Sequence, residues 1–191
     1  MLWGRGADPG EVRLRVAGLY DLWRYDIAAS DPDAQRWLGW NDGHFSPAAR
    51  TLDRRNFRRA DEAGPRVVAC QTLWLAAVAR STYVGGVSLT PSAINNGGRW
   101  RKESTVIGAV VVPALRRQGF GTSLFARGAA HAHDALGATD VLAGCEDGND
   151  ASALALRRAG YEQIDGPAQH TLPNGRVIGA LWFLHRRGGQ A

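Results

Sequence analysis

Residues 106–122 read V-I-G-A-V-V-V-P-A-L-R-R-Q-G-F-G-T, and no other stretch restricts the architecture so tightly. An apolar, β-branched run of this length reads as a buried strand. Pro113 ends it. Two glycines one residue apart, Gly119 and Gly121, then open into an amphipathic run that closes at Gly137. Strand, glycine-rich loop and helix start follow one another within 17 residues. Such a loop turns several backbone N–H groups one way, and the helix N-terminus adds partial positive charge, so the turn suits a pyrophosphate. A Walker loop is excluded, because no lysine follows the glycines. A dinucleotide fingerprint is excluded too, because Leu124 holds its third glycine place.

The 191 residues suffice for one domain with a full core. No repeat or linker divides them, and residues 1–10 and 187–191 are expected to be loose. No apolar run reaches the roughly 18 residues of a membrane span, and the first ten residues lack the apolar stretch of a signal peptide. The two cysteines, Cys70 and Cys145, offer neither metal spacing nor a disulfide framework, so a reduced cytoplasm is the expected setting. No metal is expected. The formal charge of +5 comes from 23 basic residues, of which Lys102 is the one lysine. Arginines scattered in pairs do not make a nucleic-acid arm, and a large anionic cofactor is a sufficient partner for them.

Patterning predicts a strand at 12–16, helices at 19–29 and 33–38, and a loop at 39–47. Ser46 and Pro47 then open a helix running to Ala63. Strands follow at 72–80, 83–90 and 103–112, then a helix over 119–136, a strand at 141–145 and a helix over 150–159 stopped by Gly160. Strands at 161–164 and 177–185 close the chain. Hairpins with two helical crossovers imply an α+β fold: a mixed, mostly antiparallel sheet of about six to seven strands flanked by helices.

The pattern [RQ]-x-x-G-x-[GA], met by Arg116, Gly119 and Gly121, resembles the acetyl-CoA motif of the GNAT superfamily of N-acetyltransferases. Asn149-Asp150-Ala151-Ser152 followed by Ala159-Gly160-Tyr161 resembles the segment that completes the cofactor site there. Residues 107–122 align without gaps to the ribosomal-protein N-acetyltransferase-like (RimJ/RimL-like) branch. Asp31-Pro32-Asp33 with Gln35-Arg36-Trp37-Leu38 resembles that branch's early segment. The resemblance implies that the backbone of Val110, Val111 and Val112 pairs with the pantetheine arm as an added strand. It implies that N–H groups of Arg117, Gln118, Gly119, Phe120, Gly121 and Thr122 hold the pyrophosphate, beside the Arg116 that begins the motif. Asn149 would bond the pantetheine amide and Ser152 would lie near the sulfur. Both are equally the residue types that cap a helix. Arg157 and Arg158 are candidates for the adenosine phosphate.

Two departures bear on catalysis. Leu156 stands where many of these enzymes carry a tyrosine acid, and Val106 where the branch carries a glutamate. Acid–base candidates are then Ser152, Glu103 and Glu146, with Asp147 and Tyr83 behind them. His131 and His133 lie two apart on a helix and face different ways. Trp37, Trp40, His44 and Phe45 are expected near the acceptor. An α-amine is about one-seventh neutral at pH 7, a lysine amine about 1 in 2,500. A site with no evident base therefore suits a primary amine of low pKa. The expected reaction is direct attack of such an amine, for example a peptide N-terminus, on acetyl-CoA, without an acyl-enzyme. A small-molecule acetyltransferase acting on an antibiotic or polyamine, and a non-catalytic acyl-CoA-binding module, are the alternatives. A homodimer is left open.

Overall fold

The computed structural model describes residues 6–39, 72–92, 104–172 and 174–188. The expected helix over 46–63, Trp40, His44, Phe45, Cys70 and Glu103 lie outside them. The described strands are β1 (Val12–Val16), β2 (Leu73–Ala79), β3 (Thr82–Ser92), β4 (Ser104–Val111), β5 (Asp140–Glu146), β6 (Glu162–Ile164), β7 (Gln169–Thr171) and β8 (Val177–Arg186). The helices are α1 (Leu19–Ala29), α2 (Pro32–Leu38), α3 (Phe120–Ala135) and α4 (Asp150–Arg158). None of these helices is long and apolar enough to cross a membrane.

The sheet runs β1-β2-β3-β4-β5-β8-β6, with β7 pairing β8 beyond β6. Every pairing is antiparallel except β4 with β5. The mixed α+β expectation therefore holds, with one strand more than expected. β7 carries no sequence signal, because Gln169-His170-Thr171 is polar and exposed throughout, with no alternation.

Helices cover both faces. Gly86 of β3 leaves the room that the Tyr25 ring of α1 fills, since a Cβ there would lie 2.5 Å from Tyr25 Cδ2. On the other face Gly128 of α3 lets that helix sit close over Ile107 and Val87. Short sequence signals set the helix ends. Asp31 caps α2 by accepting from the Asp33 N–H, with Pro32 in its first position. Gly39, at φ 66°, stops α2. The chain just before β1 is tied to α3. Pro9–Glu11 form a 3-10 turn, and Arg127 of α3 donates to the Gly10 carbonyl.

His133, buried on α3, pairs across to β8. Its Nδ1 lies 2.7 Å from the Ala138 carbonyl and must carry the proton there, so Nε2 accepts from His185 Nδ1 at 2.9 Å. The Tyr161 ring packs edge-on against His185. Burial, then the neighbouring His133, holds the His185 imidazole below its usual proton affinity. The unfolded chain therefore takes up this proton first as pH falls through about 6.5. Stability present at neutral pH should decline as the pH falls below about 6.5, and urea midpoints followed against pH should show it. Burial shifts His131 the same way. His185→Asn should thus flatten the slope in part, and adding His131→Ala should flatten it further. A midpoint that rises on acidification would contradict this arrangement.

Candidate functional site

β4 and β5 are paired over Ser104–Val106 and Asp140–Leu142 alone. Past that point both strands continue, β4 to Val111 and β5 to Glu146, with no ladder between them. The Val112 N–H donates to the Val84 carbonyl on the β3 side at 3.0 Å. Strand alternation therefore turns the N–H of Val111 the opposite way, into the gap. Val110 and Val112 turn their own N–H and C=O groups to β3, opposite Gly86 and Val84, so of these three residues Val111 alone offers its backbone to the gap. An open parallel edge between two splayed strands is a place where an extended, amide-bearing ligand adds as a strand.

The glycine loop lies at the end of this gap. Arg117 has φ 62° and Gly119 φ 90°, both left-handed, with Gln118 at negative φ between them. Alternating handedness turns successive N–H groups to one side, which is how a backbone concavity for an anion is built. Gly119 caps α3 without a side chain, and the first intrahelical bond runs from the Ser123 N–H to the Gly119 carbonyl. The N–H groups of Phe120, Gly121 and Thr122 are therefore left without helix partners. The Phe120 side chain is buried in the core and contributes only its backbone here. The 16-residue helix behind them adds its dipole.

Arg116 does not extend this cradle with its side chain. Its guanidinium grips both oxygens of Asp31, reaches the Ala28 carbonyl, and donates from Nε to the Val111 carbonyl at 3.3 Å. It is a strut that ties the α1–α2 junction to the end of β4. The Arg116 hydrogen bond in turn holds the Asp31 carboxyl below the usual carboxylate range. The motif's first residue was expected among the cofactor contacts, and the structure gives its side chain to an acid 85 positions away. Gln118 is likewise turned back, donating to the Ala114 carbonyl. Arg117 alone of this set points an exposed, uncommitted cation outward among the described residues.

On the β5 side, Asn149 caps α4, its Oδ1 accepting from the Ser152 N–H at 3.2 Å. The capping reading of Asn149 therefore holds, and its Nδ2 keeps no partner among the described residues. Ser152 sits half-buried in the first turn of α4. Leu156, in the tyrosine's place, is wholly buried in the core and supplies no acid. Glu146, at the end of β5, is clasped by Arg176 at 2.8 and 2.9 Å, and Arg176 also donates to the Arg36 carbonyl of α2. This carboxylate joins three elements, which corrects its reading as a free base. Nothing in the sequence marked Arg176 as its partner. Tyr83 is buried on the α1 face near Arg24, and burial pushes its phenol up, away from any role as an acid near neutrality. Burial also pushes the Cys145 thiol up, to about 11, so it is no nucleophile. Arg157 donates to Gln163 and packs over Phe183, while Arg158 is exposed. No cluster of metal-ligating side chains occurs among the described residues.

Residues 11–162 match the family model described as the acetyltransferase (GNAT) domain. Among solved structures, the fold resembles spermidine N-acetyltransferase from Vibrio cholerae in complex with CoA and spermine. That match has a TM-score of 0.70 at 13% identity, over 93% of this chain and 96% of that one. It also resembles an aminoglycoside acetyltransferase in complex with coenzyme A (TM-score 0.64, 16% identity, 92% and 95% covered). Ribosomal-protein-alanine N-acetyltransferase from Brucella melitensis is similar as well (TM-score 0.64, 22% identity, 92% and 99% covered). At these identities the likeness speaks for the fold. No curated protein sequence matches the chain significantly.

Proposed function

The chain belongs to the GNAT acetyltransferase family, and on that premise we propose that it moves the acetyl group of acetyl-CoA onto the α-amine of a peptide N-terminus. It is an acetyl-CoA-dependent acetyltransferase. The observation that carries the cofactor reading is the open β4–β5 edge ending in an uncapped helix N-terminus. Val111, the middle of the stretch Val110 to Val112, then pairs with pantetheine through its N–H, since its neighbours are taken up by β3, and the N–H groups of Arg117 to Thr122 take the pyrophosphate. Asn149 Nδ2 donates to a pantetheine carbonyl. The amine nitrogen bonds to the thioester carbon, the carbon–sulfur bond breaks, and the departing thiolate accepts a hydrogen bond from the Ser152 hydroxyl. The amine's proton leaves to Glu103 or to solvent. Such a pathway works in a reduced cytoplasm, where acetyl-CoA is at hand.

The acceptor reading rests on two supports. The chain resembles the Brucella alanine N-acetyltransferase, and Glu146, the carboxylate that ends β5, is already neutralised by Arg176. A polyamine, as in the Vibrio enzyme, calls for free acids at the acceptor end, and Glu146 is not free. Positioning of amine against thioester supplies much of the rate without a strong base.

The test is a panel of acceptors with acetyl-CoA, reading free CoA. A peptide with a free N-terminus should outrun an N-terminally blocked lysine peptide at pH 7. The ratio of their neutral forms falls from about 350 at pH 7 to about 25 at pH 9, so the gap should narrow by roughly an order of magnitude. Lysine preferred at pH 7, or spermine preferred over both, would overturn the peptide reading.

A further inference from the structure

Helix α1 is apolar on its outer as well as its inner face, and two of its charges are turned inward. Asp21 and Asp26 are turned inward, 5% and 9% exposed, with Asp21 held by Arg15 and by the Gly18 N–H. Its outward face carries Leu19, Tyr20, Trp23 and Ile27, each about half exposed or more, and Val16 of β1 continues the patch. The inner side also buries Leu22, Tyr25, Ala28 and Ala29. A surface helix ordinarily shows charge to water, and one that is apolar all round is a buried one. Tyr20 and Trp23 stack at 5.4 Å, with the Arg24 guanidinium over the Tyr20 ring at 4.4 Å, so the aromatics are fixed before any partner arrives. No described element covers this face.

We propose that the outer face of α1 is a homodimer interface, in which α1 packs antiparallel against α1 of a second copy with Trp23 at the two-fold axis. The sequence of the stripe argues for self-pairing. Leu19, Trp23 and Ile27 are spaced four and four, so the pattern reads nearly the same from either end: aliphatic, tryptophan, aliphatic. A two-fold axis through Trp23 sets Leu19 of each copy against the partner's Ile27, as an isologous contact requires. The area fits as well. Half of two large aromatics and three aliphatics amounts to on the order of 450 Å² per copy. A standard half-interface is about 800 Å², somewhat more than half of it apolar. The stripe thus fills the apolar core of an ordinary dimer and leaves a polar rim to be made by its surroundings. The inward turn of Asp21 and Asp26 removes like charges that would otherwise face each other across the axis. Through Arg116 and Asp31, the docked helix would also brace the end of β4.

Sedimentation equilibrium of the full chain should give twice the monomer mass at micromolar concentration. Trp23→Glu should weaken self-association by about thirtyfold or more, as loss of a central tryptophan does. The cofactor loop is untouched in that variant, so its acetyl-CoA affinity should match wild type and report an intact fold. A second measurement fixes the geometry. In a Cys70→Ser background, Trp23→Cys should be linked to its twin by a short bis-maleimide. Leu19→Cys alone should link poorly, but efficiently to Ile27→Cys in a mixture. Cys145 is buried and should not compete. A wild-type monomer at every concentration would overturn the proposal, whether the face is then covered by another part of the chain or by a different protein. A dimer unaffected by Trp23→Glu, or one that fails to link at position 23, would overturn it equally.

Discussion

Gly85→Ala should leave a protein several kcal/mol less stable, the largest loss expected of any single methyl group here. A Cβ at Gly85 would lie 2.2 Å from the Val110 carbonyl oxygen and 3.1 Å from Leu124 Cδ2. The first of these is backbone in the middle of the β3–β4 ladder and cannot rotate away. The close approach has a visible origin. β3 shifts register against β2 between Ala77 and Val78, so that Gly85 faces Ala77 while Tyr83 faces Val78. Val84 is the extra residue of a bulge, and its carbonyl is the one that receives the Val112 N–H. A glycine at a bulge marks where two backbones come together. Making room means parting β3 from β4, at a cost of about 3 kcal/mol or more.

Two comparison glycines calibrate that figure. Gly128→Ala meets Ile107 Cδ1 at 2.4 Å, the end of a side chain that has rotamers to spare, and should cost less. Gly137→Ala meets nothing within 4 Å but sits at φ 70°, and should cost only the left-handed penalty of about 1 kcal/mol. Urea midpoints should therefore fall in the order Gly137→Ala, Gly128→Ala, Gly85→Ala, the last the lowest. A Gly85→Ala midpoint equal to that of Gly137→Ala would mean that β3 and β4 are not locked at this level.

The elements that can be read from the chain are those whose signals are local. Alternation marks β1, and the run at 106–112 marks β4. Asp31-Pro32, Asn149 and Gly160 mark helix ends by capping chemistry that acts over three or four residues. The loop's form follows from its glycines for the same reason. What the sequence does not disclose is set by contacts across the fold. Asp31 and Arg116 are each conspicuous in their own motifs, yet nothing in either motif says that they bind each other. Glu146 looks like an available acid until Arg176 is brought over it by the β7–β8 turn. In sequence His133 stands beside His131, whereas its partner is 52 residues away on β8. The doubly apolar helix α1 is the clearest case. Periodicity establishes that 19–29 is a helix, but both of its faces are apolar enough to be the inner one, and only the sheet beneath decides that Tyr25 goes in and Trp23 stays out.

The two glycines of the cofactor loop look equivalent in sequence and differ in structure, and substituting each should separate binding from stability. Gly119 is at φ 90°, with ordinary space around a would-be Cβ, Pro9 being its nearest neighbour at 3.5 Å. Its requirement is conformational. Gly119→Ala should lose about 1–2 kcal/mol of stability and should also weaken acetyl-CoA binding, because the N–H groups that follow are re-aimed. Gly121 is different. It lies in the first turn of α3 at negative φ, and a Cβ would rest at a comfortable 3.6 Å from the Ala155 Cβ. Alanine is a better helix residue than glycine by up to about 1 kcal/mol. The apoprotein should therefore tolerate Gly121→Ala or gain slightly from it. The methyl group nevertheless enters the cleft between α3 and α4, beside Val111 of the open β4 edge. If a pyrophosphate lies against the free N–H groups of Phe120, Gly121 and Thr122, that methyl meets it. Acetyl-CoA affinity by calorimetry should then fall about tenfold or more, roughly 1.4 kcal/mol, in a protein whose urea midpoint is unchanged or raised. A stable Gly121→Ala protein that binds acetyl-CoA as tightly as wild type would remove the pyrophosphate from this loop. Weakened binding accompanied by an equal loss of stability would show that Gly121 serves the packing of α4 on α3 instead.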